Sequence, residues 1–269
     1  MFDSVKEKEG KESIEGSKSI DMLPPFVQHP PSHTAFASVS LHMGDRLRLL
    51  GFGPDIRDLM RNTITSHWPR GLQSENPYHG AHEFKLRGYP WHGRREDGAH
   101  ARRLMSRTLE ALFDAGWVLT IATDISKKVS DLDNLVFRHQ APAPARCDWM
   151  CVAFSMGDRL KLIDAPDDMR QAIVELSRRA GLLQKDRPYA GVAGVYEVKM
   201  LGYPWLATGG ETMAARQFVL NLLSTLEQQG WSVYASIDQK AQGDEGGDLD
   251  TWHCCRRQNW TSGLPVYHN

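Results

Sequence analysis

No stretch of this 269-residue chain stays apolar for the roughly 18 residues of a membrane-spanning helix, so no membrane span is expected. Cysteine is scarce. Four in a chain of this length do not make a disulfide scaffold, and an intracellular location, cytoplasmic or nuclear, is the expectation. Net charge is missing too: Lys plus Arg total 32 against 33 Asp plus Glu, a formal net of −1. That balance argues against a globally basic nucleic-acid binder and against an acidic solvating chain, so nucleic acid is not the expected partner. Neither phosphate-binding glycine loop occurs, G-x-G-x-x-G or G-x-x-x-x-G-K-[ST], and no nucleophile elbow is present. No cofactor, metal or catalytic residue is therefore assigned. Residues 1–16 are charged throughout, which is not the pattern of a signal peptide.

What is present is a charged, proline-punctuated start followed by one pattern written twice. Residues 1–35 hold four Lys and six Asp or Glu, then Pro24, Pro25, Pro30 and Pro31. Such a stretch buries too little apolar surface to offset its ordering entropy and reads as a disordered tail. Beyond it, Met43-Gly44-Asp45-Arg46-Leu47-Arg48-Leu49 returns as Met156-Gly157-Asp158-Arg159-Leu160-Lys161-Leu162. Glu83 to Trp91 (EFKLRGYPW) returns as Glu197 to Trp205 (EVKMLGYPW), and Gly116-Trp117 as Gly230-Trp231. The blocks keep their order at a spacing of about 113 residues, which marks an internal duplication. The implied division is a tail (1–35), a first repeat (36–140), a linker (141–148), a second repeat (149–260) and a C-terminal tail (261–269).

Each repeat reads as ββαβαββ. Ala37, Val39, Leu41 and Met43 alternate with polar residues, the period of a half-buried strand, and Gly44-Asp45 forms a two-residue turn into a second strand. Pro54-Asp55 and Pro166-Asp167 start helices with the stripes Ile56, Met60, Ile64 and Met169, Ile173, Leu176. The Glu-x-Lys block gives a third strand. A second helix carries Leu104, Met105, Leu109 and Leu112, stopped by Gly116 as its counterpart is by Gly230. Two further strands follow Trp117 and Leu135. The expected architecture is α+β: two such units, each an antiparallel or mixed sheet covered by two helices.

Candidate chemistry is sparse. The first repeat's seven histidines have no histidine partners in the second. Cys147, Cys151, Cys254 and Cys255 lack the spacing of structural zinc sites and read as core thiols. Asp124, Asp131 and Asp133, with Asp238, Asp248 and Asp250, read as turn formers. Gly93, Arg94 and Arg95 before one helix, and Thr208 and Gly209 before the other, are candidate anion-binding positions, since glycines at a helix N-terminus cradle anions. Tyr89, Trp91, Tyr203 and Trp205 end a strand in both repeats and are candidate contacts for a protein partner. His100, Arg103 and Arg107 form one basic helix face, read as solvated. The leading functional expectation is a non-enzymatic protein-interaction or scaffold protein. The alternatives are a hydrolase or transferase with an anion site near Arg94-Arg95, and a tandem RNA-binding module using the basic helix.

Overall fold

The computed structural model describes residues 34–93, 95–123, 133–189, 191–239 and 250–266. The tail to residue 33, Arg94, Asp124, Asp131 and Asp248 lie outside the described residues. The first unit comprises β1 (Phe36–His42), β2 (Arg46–Leu50), α1 (Pro54–His67), β3 (Leu72–Tyr78), β4 (Ala81–Leu86), α2 (Arg95–Asp114), β5 (Trp117–Thr123) and β6 (Asn134–His139). The second repeats the series as β7 (Cys147–Ser155), β8 (Arg159–Ile163), α3 (Asp167–Arg179), β9 (Leu183–Pro188), β10 (Val195–Met200), α4 (Glu211–Gln228), β11 (Ser232–Ile237) and β12 (Thr251–Arg257). All pairings are antiparallel, in six-stranded sheets ordered β3-β4-β2-β1-β6-β5 and β9-β10-β8-β7-β12-β11. The orders are equivalent, so the chain is a tandem duplication of one α+β fold.

Each unit carries one strand more than the ββαβαββ reading, because β3 and β9 give no periodic signal. Leu72–Tyr78 (LQSENPY) buries no residue fully and includes Pro77, which an edge strand tolerates. β7 begins at Cys147, inside the stretch read as linker. The first hairpin turn is also longer than expected. His42 pairs with Arg46, so the tip is Met43-Gly44-Asp45, with Met43 in the left-handed region at φ 57°.

The helix stripes behave as their spacing predicts. Ile56, Met60 and Ile64 of α1, Leu104, Met105, Leu109 and Leu112 of α2, and Phe218, Leu222 and Leu226 of α4 are buried against their own sheets. Trp117 and Trp231 follow the left-handed glycines that end α2 and α4 (φ 84° and 80°) and are buried. Phe52 meets the Trp117 ring edge-on, and the Arg256 guanidinium lies over Trp231.

The two units stack through α2. One side of this helix packs on the first sheet. Its other side lies against the face of the second sheet that α3 and α4 leave bare. Ala99 packs with Cys151, Ile163 and Val195, and Arg102 Nε donates to Thr251 Oγ1 at 3.0 Å. Phe113 meets Trp149 and Tyr234 edge-on. The layer order is therefore sheet, helices, sheet, helices. This explains why β7 is buried on both faces while β1 alternates.

Arg103 and Arg107, read from the sequence as a solvated basic face, instead clamp this junction. Arg103 donates from Nε and Nη2 to the Asp164 carboxylate at 2.8–3.0 Å, and Arg107 Nη2 adds a bond of 3.1 Å. Asp164 sits in the left-handed region (φ 56°), where the first unit has Gly51 at φ 84°. The second unit thus places an aspartate in a conformation that suits glycine, and the carboxylate meets two arginines there.

Two outcomes follow. Trp231→Ala should lower unfolding free energy by about 3–5 kcal/mol, the range for a large core aromatic, and an unchanged denaturant midpoint would contradict its burial. Asp164→Asn, which keeps tolerance of the left-handed backbone, should cost about 2 kcal/mol through lost charge-assisted hydrogen bonds; the matching Gly51→Asn should show no comparable loss of inter-unit contact by hydrogen exchange.

Candidate functional site

The repeated polar residues of the two blocks have a structural job. Glu83 accepts from Arg46 Nη1 at 2.6 Å and from Arg48 Nε at 2.8 Å. Its counterpart Glu197, almost fully buried, accepts from Arg159 at 3.1 Å and Arg187 at 2.8 Å. Burial pushes both carboxyls up, but the arginines outweigh it and hold them below the usual range. Arg46 and Arg159 thus tie β2 to β4 and β8 to β10 in the same way, while the second arginine comes from β2 in the first unit and from the edge strand β9 in the second.

The Tyr-Pro-Trp segment then locks onto the hairpin tip. Pro90–His92 and Pro204–Leu206 each form a single 3₁₀ turn begun by proline. Trp91 donates its backbone N–H to Gly44 O at 3.0 Å and its Nε1 to Arg46 O at 2.9 Å. Trp205 makes the same pair to Gly157 O and Arg159 O, each at 3.0 Å. The His92 ring lies directly over Gly44, where a Cβ would stand 2.1 Å from it, so a side chain there would displace that ring.

The four partner-contact candidates therefore divide. Trp91 is fully buried, and Trp205 is half-buried between Phe154 and Phe218. Both act as staples. Tyr89 and Tyr203 point outward, 68 % and 66 % exposed. Each unit thus carries a knob, an outward tyrosine beside the hairpin glycine Gly44 or Gly157, at a tip whose methionine is exposed as well. The knobs differ at their third member: exposed His92 in the first unit, exposed Leu206 in the second. The first unit's knob borders a cavity of about 490 Å³, whose wall includes the Arg70–Asp97 ion pair at 2.7 Å.

The anion-binding candidates come together less well. Arg94 is outside the described residues. Arg95 starts α2 with a left-handed backbone (φ 51°), and the first turn it opens carries Glu96 and Asp97. These carboxylates compete for the positive helix end. Gly93 packs against the helix instead: a Cβ there would lie 2.9 Å from the Gly98 nitrogen. Thr208 and Gly209 are exposed; the Thr212 hydroxyl donates to Gly209 O at 2.6 Å, and Thr208 provides no cap.

Two features at the unit junction escaped the sequence reading. The first is a cavity of about 610 Å³ walled by Phe113, Val118, Tyr234, Cys147, Cys255 and Trp260. The Cys147 and Cys255 thiols are hydrogen-bonded there, which raises Cys147. The second is a buried contact between Cys151 Sγ and His253 Nδ1 at 3.6 Å. It is the reverse of an activated nucleophile pair. Burial pushes the Cys151 thiol up to about 12, and burial with the nearby Arg102 pushes His253 down to about 3. Single-sequence spacing could not show either feature, because Cys151 and His253 meet only through the β7–β12 register. No group of three or more metal-ligating side chains occurs among the described residues.

The fold and these paired turns define a tandem α+β repeat protein. One family's domain is matched twice by this chain, over residues 35–138 and 148–255, and the chain belongs to that family as two copies of a domain of unknown function. No curated protein and no solved structure matches it. No helix among the described residues is long and apolar enough to cross a membrane.

The buried imidazole has a pH signature. The unfolded chain's histidine titrates near ~6.5, whereas folded His253 stays neutral until far lower pH. As pH falls, the unfolded state takes up the proton first, so stability drops from about pH 6.5 downward. Partly buried His67 and His100 are lowered as well and add to the slope. Glu83 and Glu197, held low by arginine, weaken only further down, below about pH 4.5. The melting temperature should fall between about pH 7 and pH 5, and His253→Gln should remove much of that slope; a flat profile would show that the imidazole is not buried neutral.

Proposed function

We propose that this protein works by binding a protein partner, without catalysis, through the two tyrosine knobs. The observation that carries this reading is the equal, high exposure of Tyr89 and Tyr203 on turns whose neighbouring tryptophans are internally satisfied. A ring kept only for core volume would turn inward, as Trp91 does. Tyrosine is also well suited to an interface anchor, because it offers a large rigid surface with one polar end. Two knobs in one rigid stack support bivalent capture, in which the second contact forms at high effective concentration. The His92 side of the first knob, beside the Arg70–Asp97 wall, suits a more polar partner segment than the Leu206 side of the second.

The alternatives draw less support. The RNA-binding reading relied on Arg103 and Arg107, which are committed to Asp164. The enzyme reading relied on an anion site whose helix start carries two acidic residues.

A photo-crosslinking residue placed at position 89 or at position 203 should trap the same protein in cells. Tyr89→Ser with Tyr203→Ser should weaken that partner's binding at least about tenfold with the melting temperature nearly unchanged. Loss of folding along with binding would return the tyrosines to a packing role, and full binding by the double variant would refute the proposal.

A further inference from the structure

Among the described residues the stack leaves two faces uncovered, and they match the two faces that are already packed together. Across the second sheet, Ile163, Cys151, His253 and Ala235 form one row of paired residues, all buried, and this row lies under α2. The equivalent row of the first sheet is Leu50, Ser38, Val136 and Ile121. No helix among the described residues covers it: Leu50 is 44 % exposed and Ile121 51 %. Phe36, in the place of buried Trp149, is 48 % exposed beside them.

The helix side shows the same relation. The α2 residues that meet the second sheet include Ala99, Arg102, Arg103, Ser106 and Arg107. Their counterparts on α4 are Met213, Arg216, Gln217, Leu220 and Asn221, and all five are exposed. Two of them are large and apolar, Met213 and Leu220, where the packed helix has Ala and Ser.

We propose that the protein associates head to tail with a second copy of itself, the outer face of α4 docking on the bare face of the first sheet as α2 docks on the second sheet. The occupant follows from the duplication, because each open face is the counterpart of a face whose partner the fold displays. The chemistry also carries over. Met213 and Leu220 would meet the row from Leu50 to Ile121, so apolar area on one side faces apolar area on the other. Arg216 would reach Asn134, which stands where Thr251 accepts from Arg102 and offers an amide oxygen. The Asp164 clamp has no counterpart between chains: Gly51 stands in its place, and Gln217 and Asn221 replace the arginines. Association between chains is therefore weaker than the junction within one, and it depends on concentration. Such a contact joins two different faces, so every added copy leaves one of each open. It does not use the tyrosine knobs, so it stands or falls independently of the partner-binding proposal.

The test is sedimentation velocity of the full chain over a concentration series. The expected result is growth beyond dimer as concentration rises. Leu50→Glu on the sheet face, or Leu220→Glu on the helix face, should each raise the concentration needed by at least about tenfold. Both positions are exposed, and unchanged melting temperatures would confirm intact folds. A mixture of the two variants is decisive: each retains the face the other lacks, so the mixture should form a one-to-one dimer that grows no further. The Tyr89→Ser, Tyr203→Ser variant should associate like the parent. A monomer at every concentration, as would result if the chain's own N-terminal segment covered the sheet, would overturn the proposal. So would a closed dimer that the mixture fails to restore.

Discussion

A six-stranded sheet has two faces, and each unit supplies helices for only one. That shortage governs much of the molecule. The second sheet resolves it by using α2, a helix belonging to the first unit, so one helix serves two sheets. Ten of its twenty residues are buried, including Arg102 and Ser106, whose counterparts Arg216 and Leu220 on α4, a helix serving one sheet, are exposed. The Asp164 clamp, the aromatic group of Phe113, Trp149 and Tyr234, and the junction cavity with its paired thiols all result from that sharing. The first core also runs across the junction, taking in Trp149, Ala235 and Cys255 from the second unit.

The duplication has been kept where local geometry demands it and released where the two copies have different neighbours. Glu83 and Glu197 each retain one equivalent arginine, Arg46 or Arg159, because both sheets need β2 held to β4, or β8 to β10. Trp91 and Trp205 retain both donors because both hairpin tips need the same staple. By contrast, Ser38 has become Cys151, and Val136 corresponds to His253, because only the second sheet's face lies under a helix.

Much of the fold could be read from the chain. The strong periods of Val39-Leu41, Ile56-Met60-Ile64 and Leu104-Leu109-Leu112 each report one buried face, and the glycines before Trp117 and Trp231 mark helix ends. The edge strands escaped because Leu72–Tyr78 and Leu183–Pro188 bury little and show no alternation of apolar residues. The stacking escaped for a different reason, although a trace of it was present. In β7, Trp149, Cys151 and Ala153 fill the positions that alternation reserves for polar residues, which is the pattern of a strand buried on both faces. Nothing local said which element supplied the cover. The site was legible in part: the Tyr-Pro-Trp repeat was visible as a pattern, but its division into inward tryptophan and outward tyrosine depends on Gly44 and Gly157, far away in sequence. The basic face of α2 was visible as a charge pattern, but its partner Asp164 sits more than fifty residues further along.

Sharing α2 also gives the chain a direction in time. Synthesis delivers the first unit before the second, and units of this size fold largely as they emerge. The surface that waits is the outer side of α2, where Ala99, Arg102, Ser106 and Arg107 are small or polar and tolerate water. The surface that arrives last is the bare side of the second sheet, with Trp149, Cys151 and Ile163, which does not. The stickier half of the junction is thus made only once its cover stands ready. With the order of the units reversed, the same faces would leave that apolar sheet exposed on the ribosome, open to any neighbouring nascent chain.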